Sequence, residues 1–354
     1  MGDLRIIAGQ RARKKLSDQG LVPDLVRQVV GASGGPKWLV LKGLDSVVFG
    51  DFLPAARHHI PLTGSSAGAW RMAAAADPDP ATRIECFARV YAGSRFTPDQ
   101  SPDEITRASY DLLAEIFPDE AIAHILANSA RPLRIVTARG RGLAGGRRPL
   151  GEGLGLMLAG LANTLSRQAL SAHYQRVVFH TGPPPEAIGD GFETVSVPLT
   201  AANFRDALMA SGSIPFVMAA ITDIAGAGPG VYRDGGLIDY HFGHLPDAGD
   251  GIILYPHFYP YLVPGWFDKK LHRRVTADRL SDAVMLVPDD DFVAGLPHGR
   301  IPDRRDFARM EQAERLHFWQ TVVKSSERLG AAFSRLAGAE NHGHLMDRLE
   351  PVAD

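Results

Sequence analysis

The sequence predicts an α/β fold, in which a mostly parallel central sheet is flanked by helices on both faces and followed by a helical C-terminal extension. Three observations carry that expectation. Short β-branched runs alternate with stretches whose apolar residues have helical spacing, the order that builds a parallel sheet. Two strand-to-helix junctions, at residues 31–37 and 64–68, are glycine-rich turns. Composition is that of a folded globular chain, with 45% hydrophobic and 22% charged residues. A length of 354 residues is enough for one large domain with a substantial core.

Taken in order, residues 26–30 read as a strand ending at Gly31, and residues 38–49 as a helix. A second strand at 60–63 runs into a helix at 67–76, which Asp77-Pro78 terminates. Helical spacing returns at 83–90, 104–117 and 120–127, and 133–137 is another strand. The Gly- and Arg-rich stretch 139–149 reads as a loop, 154–174 as one long apolar helix, and 176–180 as a strand entering the turn Pro183-Pro184-Pro185. Strands follow at 231–233, 251–255 and 283–287, and one or two closing helices at 303–336. No internal repeat or low-complexity tail interrupts this order.

Charge and cysteine content narrow the function classes. The formal charge is −2 with the basic residues scattered, which gives no electrostatic footprint for nucleic acid. A single cysteine, Cys86, allows no internal disulfide or thiolate metal cluster and fits a reducing cytoplasm. The basic N-terminal stretch lacks the apolar core of a secretory signal, and no run of about 18 apolar residues marks a membrane span. Membrane association would then be peripheral. Two stretches have the character for it: the uncharged apolar residues 155–162, and 258–274, where Phe258, Tyr259, Tyr261, Trp266 and Phe267 stand beside Lys269, Lys270, Arg273 and Arg274. A buried helix and a loop packed on the core are the plainer readings of the same stretches.

Three motifs can carry chemistry. Gly64-Ser65-Ser66-Ala67-Gly68 has the form G-x-S-x-G between a strand and a helix, where a serine on a strained turn projects as a nucleophile and flanking glycines remove colliding Cβ atoms. Gly31-Ala32-Ser33-Gly34-Gly35-Pro36-Lys37 sits at the preceding junction, and its amides can face an anion outside the helix, either a phosphate or the oxyanion of acyl transfer. A phosphate-binding P-loop needs Gly before the lysine and Ser or Thr after it, and Pro36 and Trp38 hold those places. In Asp234-Gly235-Gly236 a carboxylate precedes two glycines that permit close approach, and such a carboxylate can activate a serine without histidine.

Together the three resemble the patatin-like phospholipase family, with its glycine-rich oxyanion loop, G-x-S-x-G elbow and D-G-[G/A] motif in that order. Ala210-Ser211-Gly212-Ser213-Ile214-Pro215 is similar to a segment the family carries before its aspartate. The resemblance implies a patatin-like acyl hydrolase domain over residues 1–302, with its motif core at 26–239, and a helical segment over 303–354 packed on the same domain. It implies a lipid acyl hydrolase of the phospholipase A, lysophospholipase or carboxylesterase type acting on an acyl-lipid substrate. Ser66 would be the nucleophile, Asp234 the general base, and Gly34, Gly35 and Lys37 the oxyanion hole, with no cofactor and no metal. Two positions depart from the family pattern: Trp38 stands where a glycine is usual, and Pro36 has no amide hydrogen to donate.

Two other readings share the residues. An α/β-hydrolase triad would add a histidine to Ser66 and an acid, drawn from His241, His244, His257 or His298. A noncatalytic lipid- or acyl-binding scaffold would keep the fold without turnover.

Overall fold

A computed structural model describes residues 2–97, 99–147, 149–186 and 188–352. Among the described residues eleven strands form a single sheet: β1 (Leu4–Ala8), β2 (Val26–Gly31), β3 (Leu62–Ser65), β4 (Leu133–Gly140), β5 (Tyr174–His180), β6 (Thr194–Pro198), β7 (Ile221–Thr222), β8 (Val231–Asp234), β9 (Ile252–Pro256), β10 (Ala283–Pro288) and β11 (Leu349–Pro351). The main order is β11-β1-β10-β9-β2-β3-β4-β5-β6. Its centre, from β10 through β4, is parallel throughout, while β1 joins β10 and β5 joins β4 antiparallel. Every residue of β5, β9 and β10 is buried. Neighbouring residues of a strand face opposite sides, so helices and loops cover both faces there.

Strand β4 decides where the site forms. Along one edge it pairs in parallel with β3 as far as Ser65 opposite Val136, and at the next position it takes up β8 antiparallel, with Asp234 opposite Thr137. The ends of β3 and β8 therefore meet tip to tip on one edge, and the residues that leave those ends are neighbours.

The order of elements follows the sequence closely at these strands and departs elsewhere. The stretch predicted as one helix over 38–49 starts as a 3-10 turn, Gly35–Leu41, passes through an α-helix, Lys42–Val47, and ends in a π-turn. The long helix predicted over 154–174 stops at Leu165. Ser166 is extended and its hydroxyl accepts from the Gln168 amide, opening a 3-10 turn, Arg167–Ala172. The closing region is helical at Gln312–Ser325 and Glu327–Ser334, but it also supplies β11, which extends the sheet beside β1. Its helices pack on Lys42–Val47 at backbone contact, since a Cβ on Gly43 would lie 2.4 Å from the Ser326 carbonyl oxygen.

Candidate active site

The glycine loop and the serine elbow are fitted into each other through their glycines. A Cβ on Gly68 would lie 2.0 Å from the Gly31 carbonyl oxygen, and one on Gly64 would lie 2.4 Å from that of Gly68. Both outer glycines of the elbow are therefore fixed by close backbone approach. Between them Ser66 adopts φ 55° and ψ −131°, a left-handed conformation that costs a non-glycine residue of order 1–3 kcal/mol. The strain turns its hydroxyl out of the strand and over the start of the helix Ala67–Ala75.

That hydroxyl donates to Asp234 Oδ2 at 2.9 Å, and the two groups are 5% and 8% exposed. The other carboxylate oxygen, Oδ1, accepts the Gly236 amide at 2.7 Å. The glycines after Asp234 are required by the same crowding: a Cβ on Gly235 would lie 2.2 Å from the Val136 carbonyl oxygen, and one on Gly236 would lie 2.8 Å from Ser33 Oγ. Burial raises the proton affinity of Asp234 above that of an ordinary aspartate, and the Gly236 amide and Ser66 hydroxyl offset this only in part.

The segment Ala210-Ser211-Gly212-Ser213 ties nucleophile and base to one frame. The Ser66 amide donates to Ser211 Oγ at 2.9 Å, and Ser211 donates in turn to the Val136 carbonyl at 2.7 Å. The Asp234 amide donates to the Ser213 carbonyl at 3.1 Å. The amide of Ser66 is thus committed to the elbow, while that of Ala67, as the first residue of its helix, has no acceptor within the helix.

Gly34 and Gly35 lie where an oxyanion loop would. Gly35 borders the larger hollow beside Ser66, and Gly34 borders a smaller recess shared with Ser66 and Asp234. A side chain on Gly34 would strike the Phe258 ring at 2.6 Å, and Gly35 has φ 57°, so both positions suit glycine. Pro36 and Trp38 find their reason here. Pro36 opens the 3-10 turn, and Trp38 is fully buried with its ring stacked 4.0 Å from Phe87, anchoring the loop to the helix Pro80–Ala92. Lys37, whose amide is expected at the oxyanion hole, borders neither hollow, while its ammonium pairs with Asp303. The pairing fastens the loop to the C-terminal region.

No family model, curated protein or solved structure matches the chain.

The hollow at Ser66 has a volume of about 410 Å³ and mostly apolar walls, including Trp70, Ile105, Leu112, Met218 and Phe307. One cation stands in it. Arg304 borders both the hollow and the recess, and its Nε would lie 3.9 Å from a Cβ on Gly35. Among the described residues no carboxylate pairs with it. Sequence reasoning missed Arg304, because nothing local distinguishes it from Arg305 beside it, which pairs with Asp303.

The histidines are not part of this arrangement. His241 Nδ1 accepts the Val263 amide at 3.1 Å, and burial keeps its ring well below the usual proton affinity. His257 Nδ1 is engaged by Tyr259, and burial lowers it to about 3. His244 lies beside Arg279, and His298 is half exposed near Glu314. Among the described residues no histidine is hydrogen-bonded to Ser66 or Asp234, so the alternative triad reading finds no histidine at this pair. Nor do His241 and His244 gather further ligands: the described residues hold no cluster of three or more His, Cys, Asp or Glu placed for a metal.

Proposed function

We propose that the chain is a serine acyl hydrolase of patatin-like type, acting on acyl-lipid esters through a Ser66 acyl-enzyme. The observation that carries the reading is the 2.9 Å hydrogen bond from the strained Ser66 hydroxyl to a buried carboxylate that has no salt-bridge partner among the described residues. Asp234 Oδ2 takes the Ser66 proton as Oγ attacks the ester carbonyl. The tetrahedral oxyanion then meets the amides of Gly34, Gly35 and Ala67 and the Arg304 guanidinium, where each well-placed donor contributes about 3–4 kcal/mol to the transition state. Asp234 returns its proton to the departing alcohol, and later deprotonates the water that attacks the acyl-serine carbonyl, releasing the acid and restoring Ser66. Arg304 stands on the side where Pro36 leaves the loop one amide short. The apolar walls of the hollow supply a place for the acyl chain.

A fluorophosphonate probe tests this directly, since it forms its phosphonate ester only with an activated serine hydroxyl. The parent chain should label at Ser66, and Ser66→Ala should not label. A folded parent chain that stays unlabelled, together with no fatty acid released from a mixed lipid panel, would favour the noncatalytic acyl-binding scaffold.

A further inference from the structure

The helix Pro149–Leu165 is apolar on its outer face as well as on its inner one. Leu156, Ala159 and Asn163 are buried, while Leu154, Met157, Leu158, Leu161 and Leu165 face outward, with Met157, Leu161 and Leu165 exposed by 55%, 57% and 87%. Their spacing makes one continuous stripe along the helix. Folded proteins seldom leave such a stripe to water without a partner. Spanning is not the explanation, since no described helix is long and apolar enough to cross a membrane.

The stripe lies beside two aromatic residues that border the candidate site. A Cβ on Gly153 would lie 3.7 Å from the ring of Phe216, which is 64% exposed and borders the hollow at Ser66. One on Gly160 would lie 3.6 Å from Phe267, whose ring meets Trp266 edge-on at 5.2 Å, and Trp266 borders the recess holding Ser66 and Asp234. Cations flank the same face. Arg273 donates to the Asn163 carbonyl at 3.2 Å, which seats the basic segment on the C-terminal end of the helix. Lys270 and Arg274 beside it are exposed, and Arg274 lies 4.5 Å over the Tyr261 ring.

We propose that this face docks on the interfacial zone of an anionic lipid bilayer, with the leucine stripe, Phe216 and Trp266 among the acyl chains and Lys270 and Arg274 among the phosphates. Aromatic rings and basic side chains suit that boundary, where each part finds its own solvent. Docking rests on the surface alone. Only its consequence, that the mouth of the hollow is laid against a supply of acyl esters, rests on the hydrolase reading.

Sedimentation of Ser66→Ala with vesicles separates the two, because binding is then read without turnover. The chain should sediment with phosphatidylcholine vesicles containing phosphatidylglycerol, and more weakly with phosphatidylcholine alone. Burying one leucine favours partitioning by about tenfold or more, so Leu158→Glu with Leu161→Glu should lower vesicle binding at least about 100-fold while the chain keeps its circular dichroism. Lys270→Glu with Arg274→Glu should remove the preference for anionic vesicles. Two results overturn the proposal: equal sedimentation of parent and leucine variant, or a dimer in light scattering that the leucine substitutions dissociate while neither chain binds vesicles.

Discussion

Asp234 and Asp239 lie five residues apart, both buried, and the molecule treats them in opposite ways. Asp239 is gripped by Arg176, whose Nε and Nη2 donate to it at 2.6 and 3.0 Å, with Arg167 at 3.8 Å. Arg176 also holds Asp190, and although burial opposes ionisation there, its hydrogen bonds and charge leave Asp190 below the usual carboxylate range. Asp234 has a hydroxyl and an amide for partners and ends above that range. A buried carboxylate with a guanidinium clamped on it is tied into a structural ion pair. One without such a clamp keeps enough proton affinity to act as a base.

The largest expected effect tests the second half of that contrast. Ser66→Ala and Asp234→Asn should each lower kcat by about 10⁴-fold with the fold intact, and the double variant should be little worse, because members of one catalytic unit are not additive. Near-normal ester turnover in Asp234→Asn would end the assignment of the base.

Asp239→Ala probes the first half. It leaves Arg176 with Asp190 and Arg167 with Asp268 but removes the buried carboxylate the two arginines share, so urea denaturation should show a loss of about 3–5 kcal/mol, whereas Asp234→Ala should cost far less. Equal losses would mean that the two carboxylates are not distinguished by their partners.

A smaller effect is expected at the mouth of the hollow. Arg304→Gln should lower kcat roughly tenfold with KM for a neutral ester little changed, the pattern of a group that acts mainly on the transition state. If only KM for anionic esters rises, Arg304 reads substrate charge instead.

The last effect is a slope with pH. Because the folded state raises the proton affinity of Asp234 above that of an unfolded aspartate, the protonated form contributes stability below about pH 4 that is lost as pH rises through the folded value. Asp234→Asn, with nothing to ionise, should therefore gain stability relative to the parent as pH rises above about 4. The acid limb of kcat/KM should likewise lie above the ordinary aspartate range, since the base must be ionised to act. A stability difference independent of pH would show that burial does not perturb this group.

The parts of the site that could be read in the sequence are those whose geometry is settled within a few residues. Gly64, Ser66 and Gly68 form one turn, and Gly235 and Gly236 follow the carboxylate directly, so steric demand leaves a local pattern of letters. The parallel centre of the sheet was legible for the same reason, through β-branched runs set between helices. Arg304 was not, because it reaches the site from a distant element. Nor was the partner of the Lys37 ammonium legible, since Asp303 is remote in sequence. Strands β1, β6, β7 and β11 escaped notice because each takes its place by pairing with a neighbour. Nothing in the composition of 154–174 announces that Ser166 will trade helix for a cap.

The shared edge of β4 also bears on how reactivity arises during folding. Ser66 and Asp234 are 168 residues apart, and β4 together with the segment 210–213 brings them into contact, so a long loop must close before the hydroxyl meets its carboxylate. On the proposed mechanism, a chain folded as far as β4 would carry Ser66 on its elbow as an ordinary alcohol. Reactivity toward an electrophile would then be a property of the completed sheet, and a serine that reacts would report that β8 has arrived.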